Sequence, residues 1–106
     1  MWKVDQGSQS GITNPSYTTA LSWQTAELGA KTILLKNTHA SLSLKYRLSG
    51  CVNGGGITKE LVAETTLETG EIAEFHYHRQ WDNLTLAVKN GSGVSAYQID
   101  YEGQGA

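Results

Sequence analysis

His76 and His78 are the residues whose type and spacing come nearest to chemistry. In an extended chain, positions i and i+2 project from the same face, so two imidazoles two residues apart can reach one metal ion. Glu74 continues that face as a third donor, with His39 or Asp82 brought in only by the fold. Phe75 and Tyr77, on the other parity, are the apolar residues of the segment, which puts the histidines on the solvent side. The simpler reading is a polar exterior strand face at a subunit contact, so no metal is assigned and no cofactor is expected.

Other constellations lead away from catalysis. Glu60, Glu64, Glu68, Glu71 and Glu74 contain enough carboxylates for an acid–base pair of the glycosidase type, but their spacing fits exposed strand positions and turn ends. The sequence lacks a Gly-x-Ser-x-Gly elbow, a His-Glu-x-x-His helix motif and a Cys–His pairing. Gly54-Gly55-Gly56 is followed by neither Lys-Ser/Thr nor a helix start, so it is a loop and not a phosphate cradle. Cys51 is the sole cysteine, which excludes an intrachain disulfide and a cysteine-rich zinc site. The expectation is a non-enzyme.

Aromatic residues offer a second kind of site. Trp81, at a strand end, with Tyr97 and Tyr101 forms a candidate platform for stacking on sugar rings; Trp23 is the other tryptophan weighed for it, and core or interface packing is the alternative for all four.

The elements that would position these residues are strands. Leu42, Leu44, Tyr46 and Leu48 alternate with Ser41, Ser43, Lys45, Arg47 and Ser49, a period of two that a helix would scatter. Similar alternation runs through 17–23, 31–37, 59–67, 73–77, 84–88 and 97–101. The Asn37-Thr38-His39 and Asn90-Gly91-Ser92-Gly93 turns predict hairpins, Glu68 to Glu71 a tight turn, and 50–56 a flexible loop. The expected fold is all-β: an antiparallel β-sandwich or jelly-roll-like domain of seven or eight short strands over 15–106, preceded by an extended or disordered arm at 1–14. On that arm Trp2 and Val4 are the expected interface anchors.

Composition agrees. Hydrophobic residues are 39% and charged residues 17% of 106, and twelve glycines against one proline suit turns that use positive backbone dihedrals. A formal charge of −2 with eight dispersed Lys and Arg residues gives no field for a polyanion, so nucleic acid is not an expected partner. No apolar run reaches signal-peptide or membrane-spanning length, so the chain is expected to be soluble, made in the cytoplasm and free of membrane contact.

Lys31 to Asn37, the Leu42 to Gly50 strand, Glu60 to Glu71 with its Thr66-Leu67-Glu68-Thr69-Gly70-Glu71 turn and the closing Ala96-Tyr97-Gln98-Ile99-Asp100-Tyr101 together resemble small β-sandwich virion proteins of tailed bacteriophages, over about two thirds of the chain. The resemblance implies a non-enzymatic virion structural protein made in the host cytoplasm, foremost a capsid decoration protein. It implies a homo-oligomer whose arm and edge strands hold major capsid or other virion subunits. A carbohydrate-binding β-sandwich module is the alternative.

Overall fold

The computed structural model describes residues 4–78 and 81–105. Eight antiparallel strands carry the chain: β1 (Val4–Ile12), β2 (Thr18–Gln24), β3 (Ala30–Asn37), β4 (Leu44–Val52), β5 (Ile57–Leu67), β6 (Ile72–Tyr77), β7 (Asn83–Asn90) and β8 (Ala96–Gln104). They form two four-stranded sheets with orders β1-β8-β3-β6 and β2-β7-β4-β5. This interleaving is that of an eight-stranded jelly roll, the double-sheet Greek-key architecture.

Alternation decides which side chains meet between the sheets. Ile33 and Leu35 of β3, Leu44 and Leu48 of β4, Leu84, Leu86 and Val88 of β7 and Ile99 of β8 are each 1% exposed or less. Phe75 of β6 meets Tyr46 of β4 edge-on across the core, ring centroids 5.4 Å apart. Lys31 also lies inward, its ammonium donating to the Gly29 carbonyl at 2.8 Å, and burial lowers its pKa.

Three turns predicted as reversals do reverse the chain, but they carry it between sheets. The 38–43, 68–71 and 91–95 connections each leave one sheet and enter the other, so neither Asn37-Thr38-His39 nor Asn90 to Gly93 closes a hairpin. Turn residues fix a local dihedral; they do not fix which strand becomes the hydrogen-bonded neighbour. The hairpin that does form is β4–β5, and β4 runs on through Gly50, Cys51 and Val52, where 50–56 reads as a loop from its glycines. Gly50 is paired on both sides, with Lys59 and Leu84, and the loop shrinks to 53–56, where Asn53, Gly54 and Gly55 take positive φ.

The four connections at one end are tied together by side chains. Asn37, fully buried, donates from Nδ2 to the carbonyls of Leu42 (2.9 Å) and Leu67 (3.0 Å) and accepts at Oδ1 from the His39 amide (2.9 Å) and the Ser95 hydroxyl (3.1 Å). Thr13 and Ser95 bond reciprocally, as do Ser43 and Ser92. The crossings between the sheets at that end are thereby held by hydrogen bonds from the chain itself, as buried polar groups require.

On the outer face of the β2-β7-β4-β5 sheet, Tyr17 donates to Glu64 at 2.7 Å and lies under Arg47, whose guanidinium carbon is 4.1 Å from the ring centroid. Burial first, then the Glu64 hydrogen bond and charge, push the Tyr17 pKa up to about 12. Because the folded form holds this proton more tightly than the unfolded chain, the associated stability is present below pH 10 and is lost as pH rises through the folded value. Glu64→Gln is expected to bring the last-titrating tyrosine to lower pH in an absorbance titration.

Candidate functional site: the β1 edge

The segment read as an extended or disordered arm is, over Val4–Ile12, an edge strand paired within its own chain. All nine residues pair with β8, from Val4 opposite Gln104 to Ile12 opposite Ala96. Trp2 lies outside the described residues; Val4 opens β1 and is 54% exposed. The sequence of β1 is polar on both parities, which is why it reads as an arm: it buries little and is held by a few specific contacts.

Two of those contacts are glycines. A Cβ on Gly7 would lie within hydrogen-bonding distance or closer of the Tyr101 hydroxyl, and one on Gly11 would sit 2.7 Å from the Tyr97 hydroxyl. Each tyrosine lies across the glycine directly opposite it, so the rings fill the space the glycines leave and pin the register. A third contact is Trp23 of β2, whose indole Nε1 donates to Asp5 Oδ2 at 3.0 Å while its ring meets Tyr101 with centroids 4.8 Å apart. The charge on β1 is thus committed to the opposite sheet.

Among the described residues, no strand lies beside the outward edge of β1. Natural edges are ordinarily blunted by shortness, bulges, lysine or proline. The other three edges here carry such features: β6 has six residues, β2 has a register shift between Thr19 and Leu21, and β5 has two shifts together with Lys59, Glu60 and Glu64. By contrast, β1 has nine residues in unbroken register with no lysine, no arginine and no proline. Its ends carry the exposed apolar side chains Val4 and Ile12, the latter 65% exposed. Beside it, Gln6, Ser8, Thr32, Leu34, Asp100 and Glu102 border a 680 Å³ depression on the outer face of the sheet. Ser8 donates to Asp100 at 2.7 Å, and this bond, followed by that from Gln98, holds the Asp100 carboxyl below its ordinary pKa.

The sugar-platform residues do not share a surface. Tyr97 and Tyr101 point inward beneath β1, half-buried, and burial raises the Tyr97 pKa. Trp81 lies at the opposite edge of the molecule, packed over Gly50 and Leu61, where its ring fills the space beside a residue without a side chain. Its Nε1 is buried and has no hydrogen-bond partner among the described residues.

His76 and His78 do converge, with Nε2 atoms 2.9 Å apart. The wider cluster does not: among the described residues no three His, Cys, Asp or Glu side chains come together as a metal-binding group. His39 instead organises the 38–43 turn, its Nδ1 accepting from the Ser41 and Leu42 amides at 3.0 Å each. Asp82 accepts from the Gly54 amide at 2.7 Å. Cys51 is a free, half-buried thiol.

The fold places the chain in the jelly-roll class of β-sandwiches, and solved structures show the same arrangement. A protein of the Bacillus endospore appendages, described as a family of disulfide-linked pili, matches 99% of this chain and 88% of its own at a TM-score of 0.70 and 11% identity. The protein PirA matches 89% of this chain and 92% of its own, with TM-score 0.66 and 17% identity. A mitogen derived from Yersinia pseudotuberculosis matches 92% and 84%, with TM-score 0.60 and 14% identity. These likenesses are of fold. No protein-family model and no curated protein matches the sequence.

Proposed function

We infer that this chain is a non-enzymatic structural subunit that enters a larger assembly by receiving a neighbouring subunit's strand along β1. The observation that carries the reading is the unblocked nine-residue edge, whose outward N–H and C=O groups form a template for strand addition. A second copy is the simplest neighbour: two β1 edges related by a two-fold axis would make one continuous eight-stranded sheet, with Val4 and Ile12 of the two copies brought near each other. Assembly in a virion, as a decoration or other structural protein against capsid subunits, is the finer reading, and it draws on the resemblance to phage virion proteins. The likeness in fold to a pilus protein supports a subunit role, although a mitogen has the fold too, so the edge and not the fold favours assembly.

One cysteine per chain sets a limit on how such an assembly can hold together. Cys51 can join two copies at most, so disulfides between copies of this chain cannot by themselves propagate a fibre or shell.

Light scattering over a range of concentrations tests the reading. The wild-type chain is expected to show a mass of two copies or more, whereas Gln6→Lys with Ser10→Lys keeps the β1–β8 pairing and should weaken association at least about ten-fold by placing like charges on the edge. Equal masses for the two proteins would refute it. Deleting residues 1–14 is a poorer probe, because it strips β1 from β8 and uncovers Tyr97 and Tyr101.

A further inference from the structure

The geometry points to His76 and His78 as a two-imidazole binding site for a borderline divalent metal ion, Cu²⁺ foremost and then Ni²⁺ or Zn²⁺, on the β6 edge. The two rings stand nearly perpendicular, at 86° with centroids 4.5 Å apart, and direct their Nε2 atoms at each other across 2.9 Å. Two metal–nitrogen bonds of about 2.0–2.1 Å meeting at a right angle span roughly that distance. The separation of the two Nε2 atoms is therefore that of a pair sharing one ion.

Proton positions fit as well. When both rings are neutral and no metal is present, a single proton lies between the Nε2 atoms, one donating and the other accepting. Coordination needs both Nε2 lone pairs, and so both rings must carry their proton on Nδ1. For His76 that arrangement has a partner ready: Thr32 Oγ1, directly across the β3–β6 ladder, is 2.6 Å from Nδ1 and can accept a hydrogen bond from its N–H. A hydrogen bond to the far nitrogen is the usual outer support of a metal-bound histidine. His78 is exposed, so its Nδ1–H is open to solvent. The tautomeric shift moves a proton within the pair and releases none.

Among the described residues, the pair is the whole contribution of the chain. Glu74 does not join it, and among the described residues no third ligand does, so the remaining coordination positions belong to water. Two imidazoles without carboxylates select nitrogen-preferring ions and leave Mg²⁺ and Ca²⁺ unbound. Lys59, which borders the same 380 Å³ cleft with Leu61 and Trp81, adds positive charge nearby and keeps the affinity below that of a three-ligand site.

Copper and nickel titrations of the full chain, followed by calorimetry and by paramagnetic broadening of histidine resonances, test the proposal. The expected result is one saturable site per chain, with Cu²⁺ broadening His76, His78 and Thr32 first and leaving His39 sharp. His76→Ala and His78→Ala should each weaken binding at least about ten-fold, Thr32→Val by roughly ten-fold or more through the lost support, and His39→Ala not at all. The wild-type broadening pattern needs no variant, so a misfolded mutant cannot hide the answer. Absence of saturable binding, or binding unchanged in His76→Ala and His78→Ala, would overturn it.

Discussion

Asn37→Leu is expected to destabilise the protein by about 2–6 kcal/mol, because the His39 amide and the Leu67 carbonyl lose the partner Asn37 supplies and each such group costs about 1–3 kcal/mol. The Leu42 carbonyl and Ser95 hydroxyl still have each other, at 3.0 Å, so the loss stops short of all four bonds. At roughly 4–8 °C per kcal/mol for a domain near this size, the melting temperature should fall by about 10 °C or more. Asn37→Asp sharpens the test, since it keeps the shape while turning two donors into an acceptor aimed at two carbonyls. Its stability should be lowest at neutral pH and recover as pH falls, because a protonated carboxyl can again donate and the buried site raises the pKa of the acid. Chemical denaturation of the three proteins at two pH values checks both statements.

Trp23→Ala carries the other large effect. Trp23 is 3% exposed, and emptying a buried indole site costs about 3–5 kcal/mol. Besides its volume, the residue ties the two sheets together: its N–H holds Asp5 of β1 and its ring supports Tyr101, which in turn fills the space over Gly7. Trp23→Phe separates these roles. It should retain most of the packing, lose about 1.5–3 kcal/mol with the hydrogen bond to a carboxylate, and loosen β1 selectively. Denaturant midpoints report the first effect. Faster amide exchange confined to residues 4–12 reports the second, and uniform acceleration across the core would show that Trp23 acts through volume alone.

The contrast between these residues shows what a sequence exposes and what it conceals. The strand through Leu44, Tyr46 and Leu48 is legible because side-chain alternation is local, and the same rule finds β2, β3 and β5 to β8. Connections are another matter. Asn37 and Gly91 signal turns correctly, yet whether a turn closes a hairpin or crosses between sheets depends on partners far along the chain. Gly50 and β1 are misread for a related reason: glycine and polar residues look like loop when the ring that covers them, Trp81, Tyr97 or Tyr101, is many residues away. At the candidate sites, the i, i+2 spacing of His76 and His78 is visible, whereas Thr32, 44 residues earlier, is not. The unblocked character of β1 emerges only once all four edges are known.

Amide hydrogen exchange on β1, compared between assembled and dissociated protein, tests the central claim most directly. Exchange reads the backbone groups that strand addition would cover. The outward amides within 4–12 should gain protection on assembly, while those on the edges of β2, β5 and β6 stay as they are. An assembly that forms with β1 exchange unchanged, and protection gained on another edge, would contradict the account.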